Sequence, residues 1–128
     1  MWDRMVRPFF HAVGRAPIVI LATPLWAADA TRGKIAFQQC EACHSLVPGE
    51  IKTGPSLAGV MGRKAGSTDD YSYSQAMKNC GLVWNDATLR RYLASPKAVV
   101  PGTKMAFAGI KDPKRLDDLI AYLRKNAR

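Results

Sequence analysis

Cys40-Glu41-Ala42-Cys43-His44 is the stretch on which the reading of this 128-residue chain turns. Its C-x-x-C-H spacing is the signature of covalent haem c attachment. Two thiols three positions apart on one helical turn can each add to a vinyl group of the haem, and the adjacent imidazole then lies under the iron as proximal ligand. Three scarce residue positions at fixed offsets seldom coincide by chance in so short a chain. A thioredoxin-like redox pair also uses C-x-x-C, but it expects a βαβ pattern that the sequence lacks. Zinc wants four ligands, and only Cys80 stands outside the motif to join Cys40, Cys43 and His44.

Upstream of the motif, residues 1–17 carry Arg4, Arg7 and Arg15 against a lone Asp3, and an apolar run from Ile18 to Trp26 follows. Ala28-Asp29-Ala30 then offers a small-x-small pattern. Basic start, short apolar stretch and small residues predict a secretory signal peptide over residues 1–28, cut between 27 and 30, and a domain over 29–128. A membrane anchor is disfavoured, because the run falls short of the roughly 20 residues a spanning helix needs and Pro24 interrupts it. Export places the mature chain in a periplasm. Losing three Arg and one Asp takes the formal charge only from +9 to +7, so the positive excess belongs to the domain. The composition, 48% hydrophobic and 23% charged, excludes a disordered tail. Three cysteines are too few for a disulfide scaffold. A domain of about 100 residues has a thin core, which a buried cofactor would supplement.

The second axial position is narrowed by counting. The only other histidine, His11, leaves with the signal peptide, so one chain cannot supply two imidazoles. Methionine, lysine, water or an open site remain. Met61 lies in a Gly-rich loop and Met77 in a short polar stretch expected to form a helical turn. Met105 sits in Pro101-Gly102-Thr103-Lys104-Met105-Ala106-Phe107, where Pro and Gly pin an irregular backbone able to aim a thioether inward, and is the favoured donor.

Around these residues the pattern is helical, with no strands indicated. Asp29 can cap a helix whose face runs Gly33, Ala36, Phe37, Cys40 at i, i+3, i+4, i+7. Asp112-Pro113 opens another, with Leu116, Leu119, Ile120 and Leu123 as its apolar stripe. Gly33 would let the two terminal helices cross closely, with Leu119 and Tyr122 over the gap. A middle helix starts at Asn85 or Asp86, runs through Leu93 and is ended by Pro96. Residues 45–72 show no periodicity, and so long an irregular segment needs an anchor, which a haem would provide.

These residues together closely resemble the class I cytochromes c of the mitochondrial, bacterial cytochrome c2 or c550 type. The resemblance spans Asp29 to Lys125. It rests on Gly33 to Phe37 before the haem motif, Lys52-Thr53-Gly54-Pro55-Ser56-Leu57, Gly62-Arg63-Lys64, Pro101-Gly102-Thr103-Lys104-Met105 and Asp118-Leu119-Ile120-Ala121-Tyr122-Leu123. It implies an all-α fold of crossed terminal helices, a middle helix and long loops around one haem c, ligated by His44 and Met105 and held through Cys40 and Cys43. It also implies that the Pro55 carbonyl accepts from His44, that Tyr73 and Trp84 bond a haem propionate, and that Tyr92 and Thr103 sit near the Met105 sulfur and the second propionate. Relatives differ at three places: Ile51 stands where many have histidine, Met77 where asparagine is common near the haem, and Gln39 where a lysine often precedes the first cysteine. Cys80 has no family role.

The implied function is one-electron transport without substrate transformation, between complexes such as a quinol:cytochrome c reductase and a terminal oxidase. Lys52, Lys97, Lys104 and Lys111 would ring the exposed haem edge and steer a monomeric carrier onto acidic docking faces. The rival is a ligand-binding or peroxidase-like cytochrome with a labile Met105. A nucleic-acid or lipid-binding module would need basic runs, a phosphate loop or a basic amphipathic helix, none of which is present.

Overall fold

The computed structural model of the chain describes residue 14, residues 16–22 and residues 27–128. Most of the proposed signal segment, His11 included, lies outside the described residues. Five helices follow in order: α1 (Ala30–Glu41), α2 (Gln75–Asn79), α3 (Asp86–Ala94), α4 (Pro96–Val99) and α5 (Pro113–Asn126). Among the described residues the extended pairing is confined to one antiparallel bridge, between Lys64 and Val83.

Helix α1 starts where its sequence can satisfy the first free N–H groups: the Asp29 carboxylate accepts from the amides of Thr31 and Arg32. Asp112 does the same for Lys114 in α5, with Pro113 at the first helical position, where a missing N–H costs nothing. The two terminal helices share the most extensive contact of any helix pair. They cross at Gly33, where an added Cβ would sit 2.0 Å from the Asp118 carbonyl oxygen. Phe37 of α1 meets Tyr122 of α5 with ring centroids 5.2 Å apart, and Phe37, Leu119 and Ile120 are among the most deeply buried side chains.

Asn85 caps α3 through a reciprocal box with Thr88. Pro96 both ends α3 and opens α4. Its ring disfavours helical backbone at the preceding residue, Ser95, yet its fixed φ suits the first position of a new turn. The sequence reading placed the stop correctly and missed the restart. The irregular segment 45–72 is anchored largely by itself. Leu57 N–H donates to Ser45 O, Ser56 Oγ to Val47 O, and the Arg63 guanidinium to the carbonyls of Ala58 and Ser56, while Gly59 N–H reaches Ala127 O. A haem is therefore not its sole support.

The crossing is also tied electrostatically. Asp118, 4% exposed, accepts from the Asp29 backbone N–H at 2.8 Å and from Arg32 Nε at 2.9 Å, with Lys114 Nζ at 3.5 Å. Burial pushes its pKa up, but the Arg32 and Asp29 hydrogen bonds and the charges of Arg32 and Lys114 outweigh that and leave it below the ordinary aspartate value. A depressed carboxyl stabilises the fold above the unfolded pKa of about 3.9, and the contribution is lost as pH falls through its lower folded value. Asp118→Asn is accordingly expected to cost about 1–3 kcal/mol at neutral pH. The gap from the parent should close in strong acid. Denaturant unfolding at the two pH values checks this, and a gap that does not change with pH would contradict it.

Candidate functional site

The end of α1 gathers the motif. The amides of Cys43 and His44 both donate to the Cys40 carbonyl, at 3.1 and 2.8 Å, so the chain turns tightly and brings Cys40, Cys43 and His44 to one cavity wall. No disulfide joins the three cysteines, and the Cys40 thiol is pushed up to about 11, by burial first and then by the charges of Glu41 and Cys43, against Arg115. Burial therefore does nothing to activate Cys40 as a thiolate. Among the described residues no group of three or more His, Cys, Asp or Glu side chains is placed to hold a metal ion.

His44 is fixed from behind. Its Nδ1–H donates to the Pro55 carbonyl at 2.7 Å, the direction being set because a carbonyl can only accept. Gly54 N–H returns to the Cys43 carbonyl at 2.8 Å. Gly54 lies so close over the imidazole that a Cβ there would be 2.5 Å from Cε1. Burial lowers the histidine pKa, as do the charges of Lys52 and Arg63, against the Pro55 hydrogen bond. The ring is thus neutral at physiological pH, with its proton on Nδ1 and the Nε2 lone pair available to a metal.

His44 faces a cavity of about 230 Å³. A single water needs only about 10–15 Å³ by a comparable measure, so the space suits a much larger guest. Its walls are mainly apolar and include Phe37, Leu57, Val60, Leu89, Leu93 and Leu119. Every site residue named from the sequence lines this one space: Cys40, Cys43, His44, Pro55, Tyr73, Trp84, Tyr92, Thr103 and Met105. Its exposed lining residues are Gln39, Thr53, Lys104 and Ala106, which mark the mouth.

On the Met105 side, the Tyr92 hydroxyl and Thr103 Oγ1 are 2.8 Å apart, and Thr103 Oγ1 accepts from the Met105 N–H at 3.3 Å. Burial chiefly raises the Tyr92 pKa, with Thr103 opposing the rise and Cys80 and Tyr71 adding to it. The Tyr73 hydroxyl pairs with Thr68 Oγ1 at 2.7 Å. Trp84 is 7% exposed and lines the cavity beside Tyr92, with ring centroids 5.0 Å apart. Met77 lines the same cavity and is buried, whereas Met61 packs against the core without reaching the cavity.

Sequence reasoning missed several wall residues. Arg63 was visible only within a family string, yet its half-buried guanidinium brings a cation to the wall. Tyr71, Ser74 and Phe107 carried no local signal. The four lysines expected at the edge are all exposed, and three of them reach backbone carbonyls: Lys52 that of Glu41, Lys104 that of Ser72 at 2.8 Å, and Lys111 that of Ala94. Of the four, only Lys104 lines the cavity.

Two cysteines, a neutral imidazole with a free Nε2, a thioether and a largely apolar enclosure fit a covalently held haem. Comparison with known proteins agrees. Residues 30–127 match the family model described as cytochrome c. The chain is 47% identical over 103 residues to cytochrome c2 of Blastochloris viridis, covering 80% of this chain and 81% of that one. It is 48% identical to cytochrome c-550 of Bradyrhizobium diazoefficiens, covering 73% and 70% respectively. The solved structure of cytochrome cH from Methylobacterium extorquens superposes with a TM-score of 0.73 at 50% identity, covering 77% of this chain and 99% of that one.

Proposed function

The chain belongs to the cytochrome c family, and from that premise we propose a periplasmic one-electron carrier whose haem iron is held between His44 and Met105. The protein is a haem c electron carrier of the c2/c550 type and not an enzyme, with one haem attached through Cys40 and Cys43. The observation that carries the ligation is the meeting, in one apolar cavity, of Met105 and a His44 whose Nδ1 is already committed to Pro55. When bound, haem c supplies an Fe(III)/Fe(II) couple, and a soft thioether ligand with burial favours the reduced state.

Each residue then has a physical task. Pro55 orients the imidazole and raises its basicity. Tyr92 and Thr103 hold the backbone that presents Met105. Trp84, Tyr73 and Arg63 offer donors to the propionates. We place the export signal in residues 1–28 and the carrier domain in 29–128. A cut that removed Asp29 would strip α1 of its cap, which favours a bond on the N-terminal side of that residue. No helix among the described residues is long and apolar enough to cross a membrane.

Lys52, Lys97, Lys104 and Lys111 are read as the steering charges for acidic faces of membrane redox complexes, such as a quinol:cytochrome c reductase and a terminal oxidase. The bimolecular rate with such a partner is expected to fall at least about tenfold between roughly 0.01 M and 0.3 M salt. Stopped-flow reduction and oxidation of the holoprotein by membranes of the source organism checks it. A flat ionic-strength dependence removes the steering role, and failure to cycle reversibly removes the carrier.

A further inference from the structure

We propose that the last turn of α3 sets the position of Met105, with Gly109 as the positioning residue that allows it. The inference rests on the reading of Met105 as an iron ligand.

The segment that carries Met105 is fastened to α3 at both ends. Upstream, the Tyr92 hydroxyl meets Thr103 Oγ1 at 2.8 Å, and that oxygen accepts from the Met105 N–H. Downstream, the Ile110 N–H donates to the Leu93 carbonyl at 2.9 Å and the Lys111 ammonium reaches the Ala94 carbonyl. Leu93 and Ala94 end α3, so their carbonyls have no N–H of their own helix to accept from. The chain beyond Met105 serves as the C-terminal cap of the helix whose Tyr92 anchors the chain before it. Ile110, 5% exposed, plugs the downstream anchor into the core.

Gly109 makes the second anchor possible. Its φ of +107° lies where L side chains rarely go, and a Cβ would stand 2.1 Å from the Ala94 carbonyl oxygen and 2.7 Å from its carbon. The obstacle is backbone at the end of a helix, which cannot swing aside as a side-chain tip can. Any side chain at 109 therefore lifts the strap from α3, stretches the Ile110–Leu93 bond and displaces the Lys111 cap. The strap then slackens at the point four residues from the thioether. Lys111 gains a structural duty in this arrangement beyond its surface charge.

A slack strap leaves the iron open for a larger share of the time, and an outside ligand binds more tightly in proportion to that share. The test uses three ferric holoproteins: the parent, Gly109→Ala and Gly49→Ala. Gly49 has φ +74° with nothing within 4 Å of a built Cβ, so it carries the backbone penalty without the collision. Thermal unfolding, the near-infrared sulfur-to-iron band and imidazole affinity are measured on each. Both variants are expected to melt lower, but only Gly109→Ala should weaken the band and bind imidazole at least about tenfold more tightly. Imidazole affinity within twofold of the parent overturns the proposal. If Gly109→Ala does not fold, Lys111→Met removes the cap contact with the backbone intact, and a several-fold gain in imidazole affinity is expected, with no gain overturning it. A parent without the sulfur-to-iron band overturns the Met105 ligation itself, a different failure from an unchanged Gly109→Ala.

Discussion

Gly33→Ala is expected to cost at least about 3 kcal/mol, near or beyond the upper end of ordinary overpacking, although alanine is the better helix former by about 1 kcal/mol. The two effects have opposite signs, and geometry decides between them. The added Cβ would stand 2.0 Å from the Asp118 carbonyl oxygen, 2.7 Å from its carbonyl carbon and 2.7 Å from Tyr122 Cβ. All three neighbours are backbone or fixed to it, so α1 and α5 must separate. Separation opens the contact of Phe37 with Tyr122 and lengthens the Asp29–Asp118 hydrogen bond. At about 4–8 °C per kcal/mol for a domain of this size, the midpoint should drop by well over 10 °C. Trimming Tyr122 cannot restore it, because the nearest obstacle is a carbonyl. Guanidinium unfolding followed by far-ultraviolet ellipticity measures the loss, and a variant within 1 kcal/mol of the parent would refute the close crossing. Function would follow stability here, since the same helix delivers Cys40 to the cavity.

That crossing was legible from the sequence because its signals are local. Asp29 and Asp112 announce the two helix starts, a residue without a side chain stands in the apolar face of one helix, and a period of 3.6 marks the other. The haem motif was legible for the same reason, five consecutive residues with scarce types at fixed offsets. Met105 required context, being one of several methionines and marked only by the Pro-Gly turn before it. The Asp118 network joins residues 86 and 89 positions apart, and no periodicity reports such a pairing. The inward turn of Arg63 depends on the carbonyls of Ala58 and Ser56, which point at it only once the 45–72 segment has folded. The lysine contacts with carbonyls of distant elements were hidden likewise. α4 was missed because proline was read as a stop alone, when its missing N–H and fixed φ equally suit a start.

Met105→Ala is expected to abolish the sulfur-to-iron band and lower the reduction potential by a few hundred mV, within the roughly 0.8 V that axial ligands command. The sign follows from ligand softness: a thioether stabilises Fe(II), and the water or hydroxide that would enter in its place stabilises Fe(III). Met77 makes the experiment discriminating, because it is a second thioether lining the same cavity. It is carried by the short helix α2, its N–H donating to Oγ of the capping Ser74, and no tyrosine hydroxyl braces that oxygen as Tyr92 braces Thr103 beneath Met105. Met77→Ala should therefore leave the band in place and change the potential far less. A band that survives Met105→Ala and disappears in Met77→Ala would transfer the ligand role to Met77. A Met105→Ala protein that also begins to bind imidazole and turn over peroxide would show what the thioether holds back: with its sixth position open, the same apolar cavity would be a ligand-binding site, and a thioether in that position would be what confines the protein to electron transfer.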